Sequence, residues 1–405
     1  MSWSAAQPAG DDAAPSQRTR MLVLATVGFA VSFWAWALLA PLGATLRAEL
    51  SLSSFQQSLV VAVPVIIGSL GRIPVGALTD RLGARRMFPA VAALTILPVL
   101  YLGHLADSFA GVLAGGFFLG LGGTTFAIGV PFVNAWYPPA RRGLAIGIFG
   151  MGTGGTALAA FTTVQLADAV GPSFPFSLVA VVLGVYAVVA YVLLRDNPSR
   201  TVVTGSLVAR IGSTLRLVAT WQLSFLYAAA FGGFVAFSVY LPTYLVTAYD
   251  LQRSDAGLRT AGFVVVAVLT RPVGGWLADR IGAVPVLAWG YAVVAVLALV
   301  AAFEPPLIPV GTVAFLGMAA ALGSSSGAVF ALVARVVPPE RVGAVTGVVG
   351  AAGGLGGFFP PLVMGAVYGL ALDYTWGYGL LALTAALACT FTATAVRRRV
   401  STVPQ

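Results

Sequence analysis

A chain of 405 residues that is 59% hydrophobic and only 9% charged, with a mean hydropathy of +0.95, cannot fold as a water-soluble globule. Ordinary soluble domains carry about 25% charged residues. The net charge of +9 does not signal nucleic acid, because the 22 permanent cations are all arginines, most of them in short connections between apolar runs, with no basic patch or stripe. The single cysteine, Cys389, lies in an apolar run and excludes an internal disulfide framework or a multi-cysteine metal site. No metal and no cofactor is expected.

Residues 1–20 hold Pro, Ala, Ser, Gln, two Asp and two Arg, and predict a disordered tail. The apolar segment that opens at Met21 lacks a small-residue cleavage site and reads as a signal-anchor helix. Segments of spanning length fall at about 21–46, 55–79, 87–106, 109–135, 142–168 and 173–194. After a polar stretch they resume at about 220–248, 257–279, 284–303, 307–335, 342–370 and 376–396. The expectation is an all-α integral membrane protein with twelve transmembrane helices. It divides into a six-helix bundle at 21–194, a cytoplasmic linker at 195–219, a second bundle at 220–396 and a tail at 397–405.

Counted from a cytoplasmic N-terminus, the inside loops hold most of the arginines, among them Arg81, Arg85, Arg86, Arg141, Arg142, Arg195, Arg280, Arg335 and Arg341. The outside loops hold Arg47, Arg253 and Arg259 against Glu49, Asp107, Asp168, Asp250, Asp255, Glu304 and Asp373. The positive-inside bias therefore puts both termini in the cytoplasm, with the chain multi-pass in the cell membrane. In the linker, Leu207 to Val218 could form an amphipathic segment with Arg210 and Arg216 on its wet face.

Two arginines stand out. The uncharged run from Phe55 leads straight into Arg72, which sits about two turns, roughly 10 Å, inside the end of its span. An arginine at such depth costs roughly 2.5–3.5 kcal/mol on insertion scales and marks a candidate functional site. The surrounding motif Arg72-Ile73-Pro74-Val75-Gly76-Ala77-Leu78-Thr79-Asp80-Arg81-Leu82-Gly83-Ala84 recurs as Arg271-Pro272-Val273-Gly274-Gly275-Trp276-Leu277-Ala278-Asp279-Arg280-Ile281-Gly282-Ala283, 199 positions on. Each arginine could snorkel or pair with a buried carboxylate, but no Asp or Glu lies at comparable depth in any span. Two cations facing one cavity would instead suit a planar oxyanion, held by bidentate guanidinium forks.

The halves repeat elsewhere. Pro138-Pro139 followed by Arg141 and Gly143 matches Pro338-Pro339 followed by Arg341 and Gly343, and Gly147, Gly150 and Gly154 match Gly347, Gly350 and Gly354. The glycine-rich segments contain Gly150, Gly152 and Gly154 in one half and Gly350, Gly353 and Gly354 in the other. Gly150 to Gly155 formally reads G-x-G-x-x-G, but inside an apolar helix it lacks the strand a dinucleotide fold requires. Small residues let helices pack closely, and backbone approaching a cavity this closely leaves room for a small ligand. His104, beside Asp107 at an outer helix end, reads as a surface histidine.

The loop pattern Gly76, Asp80, Arg81 and Gly83, repeated as Gly275, Asp279 and Arg280, resembles the cytoplasmic signature of the major facilitator superfamily. That resemblance implies the major facilitator fold, two six-helix pseudo-repeats, and a role for these residues as a cytoplasmic gate. Twin glycine-rich segments in the fifth and eleventh helices, with one arginine each in the second and eighth, resemble the nitrate/nitrite porter family within it. The resemblance implies that Arg72 and Arg271 bind the anion and that Phe126, Tyr227 and Phe231 are cavity aromatics. That family often carries asparagines where this chain has Phe149 and Gly154; Thr153 or Thr156 could supply the missing polar contact.

The expected function is a transporter, not an enzyme: secondary active nitrate/nitrite transport by alternating access, as exchange of one anion for the other. Proton symporters commonly use intramembrane Asp, Glu or His, and none is evident here. The expected partners are a small inorganic anion and the bilayer, with a monomer as the unit. The alternatives are a proton-coupled nitrate symporter, or a carrier of the same fold for oxalate, formate or cyanate.

Overall fold

A computed structural model describes residues 15–138, 141–198, 212–337, 342–371 and 373–398. Among these, twelve helices are long and apolar enough to cross a membrane. They are α1 (Pro15–Glu49), α2 (Ser54–Thr79), α3 (Ala84–His104), α4 (Phe109–Trp136), α5 (Arg142–Val170) and α6 (Phe174–Leu193) in the first half. The second half holds α7 (Val218–Tyr249), α8 (Arg253–Ile281), α9 (Ala283–Ala302), α10 (Leu307–Val333), α11 (Val345–Leu370) and α12 (Thr375–Val396).

The expected boundaries shift in three places. α1 starts at Pro15, so residues 15–20 are helical and do not belong to the tail. Proline suits that first position, where its missing N–H has no intrahelical partner to lose. α7 starts at Val218 within the expected linker, and helical backbone continues through Arg398. Residues 1–14, most of the linker (199–211) and 399–405 lie outside the described residues.

Local chemistry sets the ends. Ser53 and Gln56 form a reciprocal capping box at the start of α2, and the Ser108 hydroxyl accepts from the Gly111 N–H at the start of α4. The turn glycines of the two repeated motifs, Gly83 and Gly282, take φ of 85° and 90°, a backbone region that disfavours any Cβ. After α6, Asp196 turns back to accept from the N–H groups of Ala84 and Arg85, and Asn197 donates to the Ala135 carbonyl. A carboxylate at the N-terminus of α3 is favourably placed against the helix dipole.

Glycines set how closely the helices approach. Within the halves, α2 crosses α4 where Gly68 meets Gly123, and α8 crosses α10 where a Cβ on Gly274 would lie 2.0 Å from the Ser324 carbonyl. Between the halves, α5 runs along α8 and α2 runs along α11. On the face carrying Gly83 and Gly282, Gly147 sits against the Pro272 backbone and Gly275 against the Gly143 carbonyl. On the opposite face, Gln57 donates to Thr243, Arg253 donates to Thr45, and Gly257 approaches the Ala160 carbonyl. The halves meet at both ends, which is an occluded conformation.

One consequence is measurable. A Cβ on Gly155 would lie 1.9 Å from the Ala30 carbonyl of α1, whereas the nearest atom to a Cβ on Gly184 is 3.8 Å away. Gly155→Ala should destabilise the purified protein by about 1–3 kcal/mol through overpacking. Gly184→Ala should be neutral or stabilising by up to about 1 kcal/mol. Thermal unfolding of both variants in detergent checks the contrast.

Candidate functional site

Arg72 and Arg271 are the only charged side chains buried among the described residues, each 3% exposed. They sit at matched depth on α2 and α8 and reach across the boundary between the halves. Arg72 donates through Nη1 to the Gly350 carbonyl of α11 and through Nε to the Gly123 carbonyl of α4, 3.3 Å away. Arg271 donates through Nη1 to the Gly150 carbonyl of α5 at 2.9 Å and to the Thr153 hydroxyl at 3.2 Å. Each guanidinium is thus rooted in one half and bonded to the glycine-rich segment of the other.

Two of these acceptors, Gly123 and Gly150, lie at local departures from α-helix, whereas Gly350 accepts from within the continuous helix of α11. A 3₁₀ turn at Gly120–Thr124 interrupts α4, another at Met151–Gly154 interrupts α5, and a π turn at Ala228–Gly232 interrupts α7. Such turns break the regular i→i−4 ladder and recur at functional sites. Gly350 and Gly150 also leave space: a Cβ on either would come within 3.3 Å of the Phe126 ring or of Arg271 Nη1 respectively.

Aromatic rings close the remaining sides. The Phe231 ring lies between the two cations, 5.4 Å from Arg72 Cζ and 5.0 Å from Arg271 Cζ. Phe126 faces Arg72 at 5.0 Å, and Phe234 faces Arg271 at 5.3 Å. Tyr227 stacks on Phe231 with centroids 5.0 Å apart, and Phe330 of α10 meets Tyr227 edge-on at 4.8 Å. A cation over an aromatic face in a desolvated site gains about 2 kcal/mol, so the rings stabilise charge that has no carboxylate partner.

The satisfaction is incomplete. Arg271 Nε and Nη2 are buried without a well-formed hydrogen bond, with the Tyr227 hydroxyl a further polar group beside this guanidinium. They form one edge of the guanidinium, the edge that receives planar oxyanions in bidentate fashion. A buried unpaired donor costs about 1–3 kcal/mol, more when charged. Beside Arg72, a cavity of about 10 Å³ lies among Ser69, Trp36, Phe231 and Gly354. A space of that size holds one water at most.

The structure therefore brings together Arg72, Arg271, Phe126, Tyr227, Phe231 and all six signature glycines. Gly152 packs on Phe29, Gly154 faces Val268, Gly353 seats the Tyr227 ring and Gly354 faces Ser69. Phe234 and Phe330 were not singled out from the sequence. Phe234 follows Phe231 by three residues on α7, a spacing that could have marked it. Thr153 accepts from Arg271, whereas the Thr156 hydroxyl donates to the Thr153 carbonyl. Phe149, at one family asparagine position, is core, stacked on Phe29 at 4.8 Å.

The repeated loop residues lie apart from the arginines. Gly76 packs near Ala127, and Arg280 stacks on Trp276 at 4.2 Å. Asp279 abuts Gly143 at the N-terminus of α5; a Cβ on that glycine would lie 2.8 Å from both carboxylate oxygens. Arg81 is exposed, and the side chain of Asp80 lies outside the described residues. His104 is exposed and hydrogen-bonds Ser177 at 3.0 Å.

The model of the Major Facilitator Superfamily matches residues 25–258 and 223–405. A probable nitrate/nitrite transporter of Mycobacterium tuberculosis, NarK2, is 51% identical over 383 residues, covering 94% of this chain and 97% of its own. The chain belongs to the nitrate/nitrite porter family of the major facilitator superfamily. A nitrite extrusion protein of Bacillus subtilis is 39% identical over 357 residues, covering 88% of the porter and 89% of its own length. Among solved structures, the human organic anion transporter MFSD10 superposes with a TM-score of 0.74 at 16% identity, covering 94% of the porter and all of that chain. A bacterial homologue of the lysosomal transporter Spinster, inward-facing and occupied, gives 0.71 at 19% identity, covering 95% and 98%. At such identities these two share the fold alone.

The contact between Thr153 and Arg271 can be tested without any assay of transport. Thr153→Val keeps the shape but removes the acceptor, leaving Arg271 with the Gly150 carbonyl alone. Thermal unfolding should report a loss of about 1–2 kcal/mol, and Thr153→Ser should restore most of it.

Proposed function

We propose that this porter carries nitrate and nitrite across the cytoplasmic membrane by alternating access, exchanging one for the other, with the anion held between Arg72 and Arg271. The observation that carries the reading is the pair of buried guanidiniums, one from each half, with no buried carboxylate among the described residues and an unpartnered donor edge on Arg271. A small planar oxyanion supplies the acceptors and the negative charge that this arrangement lacks. The close homology to NarK2 supports nitrate and nitrite as the oxyanions.

The same geometry favours exchange. Two like charges in a low-dielectric site repel unless a counter-charge lies between them. In this conformation, carbonyl bonds that cross between the halves tie the carrier shut. Bound anion offers the guanidiniums other acceptors, so the cross-ties release when cargo is present. Tyr227, Phe231 and Phe126 line the anion's place, and the loop residues around Asp80 and Asp279 gate the cytoplasmic side. Both termini face the cytoplasm, in keeping with the arginine bias of the loops.

The test is counterflow in proteoliposomes, with nitrite inside, labelled nitrate outside and no pH gradient. Wild-type protein should exchange rapidly. Arg72→Lys and Arg271→Lys keep the charge but lose the planar fork, and each should slow flux about 30-fold or more. Near-normal flux in Arg72→Lys would remove that residue from the site. Uptake that requires an inward proton gradient would replace exchange with symport.

A further inference from the structure

The two arginines are related by the repeat, but their surroundings are not. One turn before Arg72, on the same face of α2, stands Ser69; the residue at the matching place before Arg271 is Val268. The Ser69 side chain is fully buried, and its Oγ has no hydrogen-bond partner. A serine inside a helix ordinarily bonds the carbonyl one turn back when nothing else is offered, as Ser58 and Ser238 do here. Ser69 does not.

Ser69 lines the cavity beside Arg72 and Phe231. The facing helix is shaped to admit it: a Cβ on Gly354 would lie 2.0 Å from Ser69 Oγ. At the matching place in the first half, a Cβ on Gly154 would meet only the methyl groups of Val268, at 3.6 and 3.9 Å. A buried, unpaired hydroxyl on a residue that lines the arginine site is unexplained by packing alone, since alanine would fill the same space without an unsatisfied group.

We propose that Ser69 is a direct substrate contact, donating its hydroxyl to an oxygen of the anion bound at Arg72. The inference rests on the anion-transport reading above and deepens it. It makes the site asymmetric, with a neutral donor on the α2 side and none at the matching position of α8. A trigonal anion with three acceptor oxygens can engage both guanidinium forks and this hydroxyl together.

The experiment is Ser69→Ala, measured beside wild type in the same proteoliposomes and by thermal unfolding with and without nitrate. Loss of one hydrogen bond to a charged ligand should raise the nitrate KM for counterflow about tenfold, with maximal rate within about twofold. Without anion, the variant should melt no lower than wild type, because only an unpaired group has been removed. Its stabilisation by nitrate should shrink in step with the KM. A nitrate KM within twofold of wild type would overturn the proposal, as would a lowered melting temperature in the absence of anion. Wild-type protein that carries neither nitrate nor nitrite would overturn the transport reading itself. Wild-type flux with an unaltered Ser69→Ala variant would overturn this proposal alone.

Discussion

Two positive charges buried without a carboxylate are the constraint on which the rest of this structure depends. A guanidinium in a low-dielectric interior must find hydrogen-bond acceptors, and here each arginine reaches a backbone carbonyl of the opposite half, with Gly123 and Thr153 adding an acceptor each. The interruptions in α4 and α5 fall where Gly123 and Gly150 turn their carbonyls toward an arginine, while Gly350 accepts from within the continuous helix of α11. Glycine suits both interruptions: a Cβ on Gly150 would press on the Arg271 guanidinium, and one on Gly123 would meet the Gly68 backbone of α2 and the Trp36 ring. Aromatic faces then cover the charge where no acceptor reaches. The glycine content, the non-α turns and the ring cluster are three answers to one electrostatic problem.

The same arrangement couples the site to movement of the halves. Because each arginine is anchored on one half and bonded to the other, the state of the site bears directly on whether the halves can separate. In the proposed mechanism an anion competes for the N–H groups whose carbonyl bonds hold the halves together. Two-fold repetition makes the cross-ties reciprocal, Arg72 to Gly350 and Arg271 to Gly150. The repeat is broken at Ser69 against Val268 and at Thr153 against Gly353. Tyr227 enforces the second difference: a Cβ on Gly353 would lie 2.2 Å from its ring, so no threonine fits there. The polar side chains that tune the site therefore come from the first half, while the second contributes Arg271 and most of the rings.

Much of this was legible in the chain. Spans of twenty apolar residues have one stable form in a bilayer, because every backbone group must be paired within the segment. The duplicated motif placed Arg72 and Arg271 at equal depth, and two fold-related halves bring equal positions together. Tyr227 and Phe231, four residues apart on one helix, had to share a face. Less visible were Phe330 and Phe234, which look like any other phenylalanine in an apolar run. The docking of Asp196 on the start of α3 was hidden too, because its partners lie more than a hundred residues away.

What the sequence determined by itself is the membrane class, the number of spans, the internal repeat and the two buried cations, since each follows from hydropathy, length or charge along one dimension. Only the tertiary structure decided where the guanidinium hydrogen bonds go, which threonine serves Arg271, and that the hydroxyl of Ser69 is left unpaired. Those outcomes depend on which helix faces which at ångström distance. Helix faces are assigned by packing between segments far apart in the chain, which no local pattern of residues encodes.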